Sequence, residues 1–299
     1  MLAPGIWIAW EYLRDPLAAL DYGDSEVFVV RDSAYAVEGE SGPRSYRDVV
    51  LVAEGLDSIR FTLSLPPPRD GMRLPVVMVI GGLEIGRTSL RYVGHHGDNA
   101  LIAYEYPYGP EYWYEGASPG DLPAIRRAVR RVPAQLEAVV RWAMRQPWAD
   151  SSRISTFSYS FGAMFVPAFY RLAQSREEHL GPATLIYGGA DIEKLLEHNL
   201  RIESDMLRGI VAWLAATAIR PVEPALHLPY LRASLLIVNG MHDRLIPEEC
   251  WRELQELAPE PKTVINLDTG HMQPDATDLI DRLVEIGRSW LLERGAIEP

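Results

Sequence analysis

The segment Arg153–Tyr170, RISTFSYSFGAMFVPAFY, is the most informative part of the chain. It begins with an apolar run that predicts a buried strand, Ile154–Phe157, and after Gly162 it continues with apolar residues that suit a buried helix. Small residues lie two positions before and two positions after Ser160. Bulky side chains there would collide with the strand or the helix of a tight turn. The pattern therefore predicts a sharp strand–turn–helix unit with Ser160 at its tip.

This spacing is that of a nucleophile elbow, in which a strained backbone holds a serine hydroxyl clear of the sheet. The helix that follows would point its positive N-terminus at an oxyanion formed there. The motif alone is weak, because short serine–glycine turns between strands and helices are common. It also has Ser158 where glycine is usual, so the turn holds two hydroxyls. Ser160, at the centre, is the better candidate nucleophile.

Composition limits the classes of protein to which the chain can belong. Its 299 residues are 47% hydrophobic and 23% charged, as in ordinary globular proteins. The 41 acidic residues outnumber the 29 basic ones and give a net charge of −12, which argues against a general nucleic-acid-binding protein. The single cysteine, Cys250, excludes an intrachain disulfide and is predicted to be a structural thiol.

The N-terminal segment, MLAPGIWIAWEYLRD, contains a short apolar run. It has no basic start and no clear cleavage site, and the run is too short to span a bilayer. We therefore expect a cytoplasmic protein without an integral membrane segment. A short helix within residues 1–22 is predicted to cover an apolar surface.

Strand and helix patterns predict an α/β fold with a mostly parallel central sheet flanked by helices. Leu74–Ile80 is a continuous apolar run, as expected of a parallel strand covered on both faces. The strands before it, which we expect to open the sheet in antiparallel fashion, are predicted at 27–31, 47–53 and 58–65. Later strands are predicted at 101–106, 154–157, 183–187, 233–238 and 263–267, and helices at 122–145, 247–257 and 279–294.

Residues 192–229 interrupt this alternation with helical segments and are predicted to form an inserted lid over the carboxyl ends of the strands. The chain shows no internal repeat and no flexible linker. We therefore predict a single domain over 1–299, with an N-terminal extension and antiparallel strands in 1–65. On the helix 122–145, a solvated face with charge pairs is predicted for Arg126, Arg127, Arg130 and Arg131.

The glycine-rich stretch 81–86, GGLEIG, follows the central strand. It matches neither nucleotide-binding glycine motif, so an oxyanion loop fits better, since glycines let the backbone approach a substrate oxygen. A plain turn is the alternative. The aromatic segment 107–120 is predicted to line a substrate entrance, with a packed surface loop as the alternative. The residues predicted to border the substrate are Tyr159, Glu84, Tyr108 and Trp113.

A serine needs a histidine that accepts its proton and a carboxylate that orients that histidine. Asp243 follows the strand at 233–238, and His271 follows the strand at 263–267. Functional side chains of open α/β sheets gather on such loops. Ser160, Asp243 and His271 each follow a different predicted strand, so we predict that they form a catalytic triad.

Other residues compete for these roles. Asp268 could replace Asp243, but it lies on the same loop as His271. His242 neighbours Asp243, and adjacent side chains diverge, so it is a poor partner for that carboxylate. The pair His95 and His96 is predicted to lie at the surface or at the substrate's edge.

With these residues identified, the chain resembles the α/β-hydrolase family over roughly residues 74–294, through the motifs GGLEIG, SYSFG, NGMHDRLIP and DTGHM. The resemblance implies that Ser160 is the nucleophile, His271 the general base and then acid, and Asp243 the orienting carboxylate. It also implies that the oxyanion is bound by the backbone N–H of Phe161 and by one from the glycine loop, either Leu83 or Gly82.

The function expected from this resemblance is hydrolysis of carboxylic esters with short or small apolar acyl groups, without a cofactor or a metal. A thioesterase, an amidase or peptidase, and a C–C hydrolase use the same triad and stay open as alternatives. A non-catalytic binding protein is the alternative from another class. The expected partner is a small-molecule ester and not a nucleic acid, and a homodimer is compatible with the sequence.

Overall fold

The computed structural model describes residues 4–23, 26–37, 44–69, 71–83, 85–93, 96–108 and 120–299. Glu84, His95 and Trp113 lie outside these described residues. Nine strands form one sheet in the order β1-β2-β3-β5-β4-β6-β7-β8-β9. The strands are β1 (Phe28–Val37), β2 (Arg44–Ala53), β3 (Leu56–Leu65), β4 (Leu74–Ile80), β5 (Ala100–Glu105), β6 (Ala149–Tyr159), β7 (Ala183–Ile186), β8 (Leu235–Gly240) and β9 (Lys262–Leu267). The α-helices are α1 (Pro4–Leu13), α2 (Leu122–Met144), α3 (Val166–Ser175), α4 (Ile192–Asn199), α5 (Asp205–Ile219), α6 (Glu248–Leu257) and α7 (Thr277–Glu293).

The sheet is mixed, as predicted. Strands β1, β2, β3 and β5 pair with one another in antiparallel fashion, and β5, β4, β6, β7, β8 and β9 pair in parallel. The antiparallel opening of the chain is therefore confirmed. Strand β1 is twice as long as its predicted range, because β2 pairs with it over almost its whole length.

Strand β4 lies at the centre of the core, and all seven of its residues are buried. Val76 and Met78 pack on the face of the sheet that α2 and α3 cover, whereas Val77 and Val79 pack on the face that α7 covers. Helices on both faces explain why the strand is apolar at every position. The parallel neighbours of β4 carry their carboxyl ends to the same edge of the sheet.

The predicted helical insertion before the strand that leads to Asp243 is confirmed. Between β7 and β8 the chain forms α4, α5 and three short 3₁₀ segments. Hydrogen bonds join its helix α4 to the loop after β8. His198 Nε2 lies 2.9 Å from the carbonyl oxygen of Arg244, and the side-chain amide of Asn199 donates to the carbonyl oxygen of Leu245 at 2.8 Å. The insertion thus contacts the segment that carries the candidate acid.

The N-terminal helix α1 is held by a buried carboxylate. Glu11 is fully buried and its carboxylate meets Arg14 at 2.5 Å, Arg130 at 3.4 Å and Arg126. Burial lowers the pKa of Arg130 to about 10. The predicted solvated face is therefore wrong for Arg130, which is buried against α1. The short helix predicted within residues 1–22 is present as α1, and its role as the cover of an apolar surface stays a prediction. No helix in the described ranges is long and apolar enough to cross a membrane.

A second buried carboxylate lies where α2 meets the end of α3. Glu137 is buried, and its carboxylate forms ion pairs with Arg176 at 2.8 Å and with Arg141 at 3.3 Å. Glu178 lies beside it, and burial, followed by the neighbouring charge of Glu137, raises the pKa of Glu178 from 4.5 to about 8. The folded protein therefore binds this proton more tightly than the unfolded chain does.

This pKa shift predicts a pH dependence of stability. The contribution of Glu178 to the free energy of unfolding is fully present below about pH 4.5. It is lost as the pH rises toward 8, because the folded state then gives up the proton that it binds more tightly than the unfolded chain does. We expect Glu178→Gln to weaken the fall in free energy of unfolding between pH 5 and 8, measured by urea denaturation. The neighbouring exposed Glu177, changed to Gln, serves as the control. Identical pH profiles for the two variants would contradict the assignment.

Candidate active site

The turn after β6 has the strained backbone that is expected of a nucleophile elbow. Strand β6 ends at Tyr159, and Ser160 follows with a φ of +53°, a left-handed value that is strained for a residue with a side chain. A short 3₁₀ turn, Ser160–Met164, then leads into α3. Strain of this kind persists only where the surrounding structure enforces it.

Gly162 is the residue that lets this turn form. A methyl group built on its Cα would overlap the carbonyl oxygen of Ile80 and would lie 2.8 Å from that of Gly81, so the turn presses directly on the end of β4. Ser158 occupies the other small position, and it is fully buried with its hydroxyl donating to the carbonyl oxygen of Thr184. Of the two hydroxyls in the turn, that of Ser158 is therefore a structural one.

The structure brings the three predicted catalytic side chains together. Ser160 Oγ lies 2.9 Å from His271 Nε2, and His271 Nδ1 lies 2.7 Å from Asp243 Oδ2. The other oxygen of Asp243 accepts the backbone N–H groups of Leu245 at 2.8 Å and Ile246 at 3.0 Å. The side chains of His271 and Asp243 are 6% and 1% exposed. The arrangement can move a proton from the hydroxyl to an imidazole that a buried carboxylate orients.

The competing residues form a separate pair. His242 Nε2 lies 2.6 Å from Asp268 Oδ1, and their side chains are 70% and 80% exposed. Asp268 therefore faces solvent with His242, whereas His271 Nδ1 is paired with Asp243. Within the described ranges, no group of three or more His, Cys, Asp or Glu side chains is placed to hold a metal ion.

Tyr187, which sequence reasoning did not select, supports the imidazole. It follows β7 with a φ of +54° and is fully buried. Its ring lies 5.2 Å from that of His271 in an edge-on arrangement, and its hydroxyl lies 2.6 Å from Thr269 Oγ1. Burial raises the pKa of Tyr187. A tyrosine before Gly188 is an unremarkable strand ending in the sequence, so no local pattern could have identified this contact.

The glycine loop lies next to the elbow. A methyl group built on Gly82 would be 3.9 Å from Ser160 Cβ, which puts the backbone of this residue beside the candidate nucleophile. Leu83 and Phe161 are half-buried against the larger core cluster. The loop is tied down by Tyr106, whose hydroxyl donates to the carbonyl oxygen of Gly81 at 2.6 Å. The candidate oxyanion donors thus belong to two backbone segments that meet at Ser160.

The residues predicted to border the substrate have different surroundings. Tyr159 is buried in the core cluster on the α7 face, so we leave it out of the proposed substrate contacts. Tyr108 is 40% exposed and donates a hydrogen bond to Asp121 Oδ1 at 2.8 Å. Glu84 and Trp113 lie outside the described residues.

Solved structures of several hydrolases resemble this fold. An acetyl xylan esterase from a Thermoanaerobacterium species superposes with a TM-score of 0.66 at 14% identity, covering 93% of each chain. One from a Paenibacillus species gives 0.66 at 16% identity, covering 95% of each chain. A Mycobacterium tuberculosis puromycin-hydrolyzing peptidase gives 0.59 at 15% identity, covering 86% of this chain and 45% of the other. No protein-family model and no curated protein matches the sequence. At these identities the likeness establishes the fold alone.

The contact of Gly162 with the end of β4 predicts the cost of adding one methyl group there. We expect Gly162→Ala to lower the free energy of unfolding by about 2–3 kcal/mol, because overpacking forces the backbone to move. The matched control is Gly82→Ala, whose methyl group would meet nothing closer than 3.9 Å among the described residues. Chemical denaturation of both variants measures the difference. Equal stability of the two would show that the elbow does not press on β4.

Proposed function

Because the chain has the α/β-hydrolase fold, we propose that it is a serine hydrolase that cleaves carboxylic esters. In this proposal Ser160 is the nucleophile, His271 the general base and then acid, and Asp243 the carboxylate that orients the imidazole. The observation that carries the proposal is the pair of distances, 2.9 Å and 2.7 Å, that links these three side chains. The fold by itself would not select a function.

In the first step, Ser160 Oγ attacks the ester carbonyl while its proton passes to His271 Nε2. The imidazolium keeps its Nδ1–H directed at Asp243, whose buried carboxylate stabilises the positive charge. As the tetrahedral intermediate collapses, the C–O bond to the leaving group breaks. His271 gives its proton to the departing alkoxide, and an acyl group remains on Ser160.

In the second step, water attacks the acyl-enzyme and gives a proton to His271, which returns it to Ser160 as the acid is released. In both steps the negative oxygen would be held by the backbone N–H of Phe161 and by that of Leu83 or Gly82. Each such donor contributes about 3–4 kcal/mol to transition-state stabilisation in serine proteases. The proximity of Gly82 to Ser160 supports this role.

We propose that the substrate carries a short or small apolar acyl group. The ring of Phe161, the residue after Ser160, packs 5.4 Å from that of Tyr106 and 5.0 Å from that of Phe165, and in this proposal the partly exposed Phe161 would offer a rigid apolar surface to the acyl group. Two of the similar structures are named acetyl xylan esterases, and acetyl is a short acyl group.

We further propose that the insertion 192–229 acts as a lid, since α4 is hydrogen-bonded to the loop of Asp243.

An amidase or peptidase is the second candidate, because one similar structure is a peptidase that hydrolyses puromycin. Esters, thioesters and amides pass through the same tetrahedral intermediate, so the triad does not choose among them. Rates on p-nitrophenyl acetate, an acetyl thioester and an aminoacyl arylamide separate these classes. The proposal requires the oxygen ester to have the largest kcat/KM.

The serine assignment predicts different outcomes for the two hydroxyls of the elbow. We expect Ser160→Ala to lower kcat for p-nitrophenyl acetate by roughly 10⁶-fold, the loss seen when a serine protease is deprived of its nucleophile. The control is Ser158→Ala, whose buried hydroxyl is bonded to Thr184 and takes no part in the proposed chemistry. Steady-state kinetics, with circular dichroism to verify folding, measures both.

Wild-type turnover by folded Ser160→Ala would refute Ser160 as the nucleophile. If the wild-type protein hydrolyses none of the three substrates and does not react covalently with a fluorophosphonate, it is a binding protein and not a hydrolase.

A further inference from the structure

Strand β1 is an open edge of the sheet. It is ten residues long, and in the described part of the chain it pairs only with β2. Between Phe28 and Tyr35 every side chain but that of Ser33 is exposed, so exposed side chains lie on both faces of the sheet. The large apolar ones are 44–58% exposed and are Phe28, Val29, Val30 and Tyr35.

An edge of this kind is unusual for a strand whose outer side stays unpaired. Native proteins shorten or charge their edge strands, or cover them, because the free N–H and C=O groups pair with other chains. Between Phe28 and Tyr35 the only formal charges are those of Arg31 and Asp32, and Asp32 forms an ion pair with Arg47 of the neighbouring strand β2. A bulge between Val29 and Arg31 interrupts the strand near one end and leaves a regular stretch beyond it.

We propose that β1 pairs with β1 of a second copy of this chain, in antiparallel fashion, about a twofold axis that passes beside Ser33. The two sheets would then form one continuous sheet across the dimer. Backbone hydrogen bonds would supply the affinity, and side-chain pairs would fix the register, as in other cases of strand addition.

The symmetry restricts the register. A twofold axis perpendicular to the sheet keeps each side chain on its own face, so opposed residues must come from the same face of β1. Pairing with β2 puts Arg31, Ser33 and Tyr35 on one face and Asp32 and Ala34 on the other. The axis must therefore pass beside a residue that faces its own copy.

Two registers overlap the strands most fully, with the axis beside Asp32 or beside Ser33. The first places Asp32 opposite its own copy, and like charges directly opposite one another destabilise a sheet. The second places Asp32 opposite Ala34 and Arg31 opposite Tyr35 of the second copy, where a guanidinium can lie over an aromatic ring. Tyr35 is already stacked on Tyr46, with ring centroids 5.8 Å apart, so its ring is held in place. The charges therefore select the register centred on Ser33.

Cysteine cross-linking tests this register directly. Cys250 is fully buried and is the only cysteine, so Ser33→Cys introduces a single accessible thiol. Directly opposed residues in an antiparallel pair have Cα atoms roughly 4.5–5.5 Å apart, which suits a disulfide. We expect mild oxidation to convert Ser33→Cys into a covalent dimer at least tenfold faster than Ser175→Cys, a control at the exposed end of α3. Non-reducing electrophoresis and intact mass measure the rate.

Asp32→Cys distinguishes the two registers, and the proposal requires it to cross-link more slowly than Ser33→Cys. Faster linking of Asp32→Cys, or rates for both that equal the Ser175→Cys control, would overturn the proposal.

Sedimentation equilibrium supplies a second measurement. Tyr35→Lys, which sets a lysine opposite Arg31 of the second copy, should raise the dimer dissociation constant at least tenfold, whereas Tyr35→Phe should not. A wild-type protein that stays monomeric over a hundredfold range of concentration would also overturn it.

Discussion

The close approach of the elbow to the end of β4 is the constraint on which the rest of the site depends. Gly162 lies against the carbonyl oxygen of Ile80, and in the same turn Ser160 takes a left-handed conformation. The same approach brings the glycine loop after β4 beside the serine. The elbow and the glycine loop are far apart in sequence, but both backbones are thus fixed relative to the Ser160 hydroxyl. Neither position depends on a long, flexible side chain.

The base and the acid are positioned by the strands on the other side of the elbow. Strands β7, β8 and β9 run parallel, so their carboxyl ends deliver Tyr187, Asp243 and His271 to the same edge. Asp243 is fixed by two backbone N–H groups, and the imidazole packs against the ring of Tyr187. Because these groups are already in place, they need not rearrange when charge develops during a reaction.

The sequence was informative where a local pattern determines structure, and uninformative where distant segments meet. The apolar run of β4 and the small residues around Ser160 reflect local demands, and each of the three candidate catalytic residues follows a strand that its own apolar run predicts. Those strands are present. The partner of Arg130 was missed because Glu11 lies more than one hundred residues away and on another helix. The burial of Ser158 and the support from Tyr187 depend on pairing between β6, β7 and β8, which no window of sequence reports.

In the proposed triad Asp243 orients the imidazole, and Asp268, on the next loop, does not. The most direct measurement compares kcat of Asp243→Asn and Asp268→Asn on the same ester, with both variants verified as folded. We predict a loss of roughly 10⁴-fold for Asp243→Asn, as in serine proteases that lose this carboxylate, and near wild-type turnover for Asp268→Asn, whose exposed side chain is paired with His242. Equal losses, or a larger loss for Asp268→Asn, would contradict it.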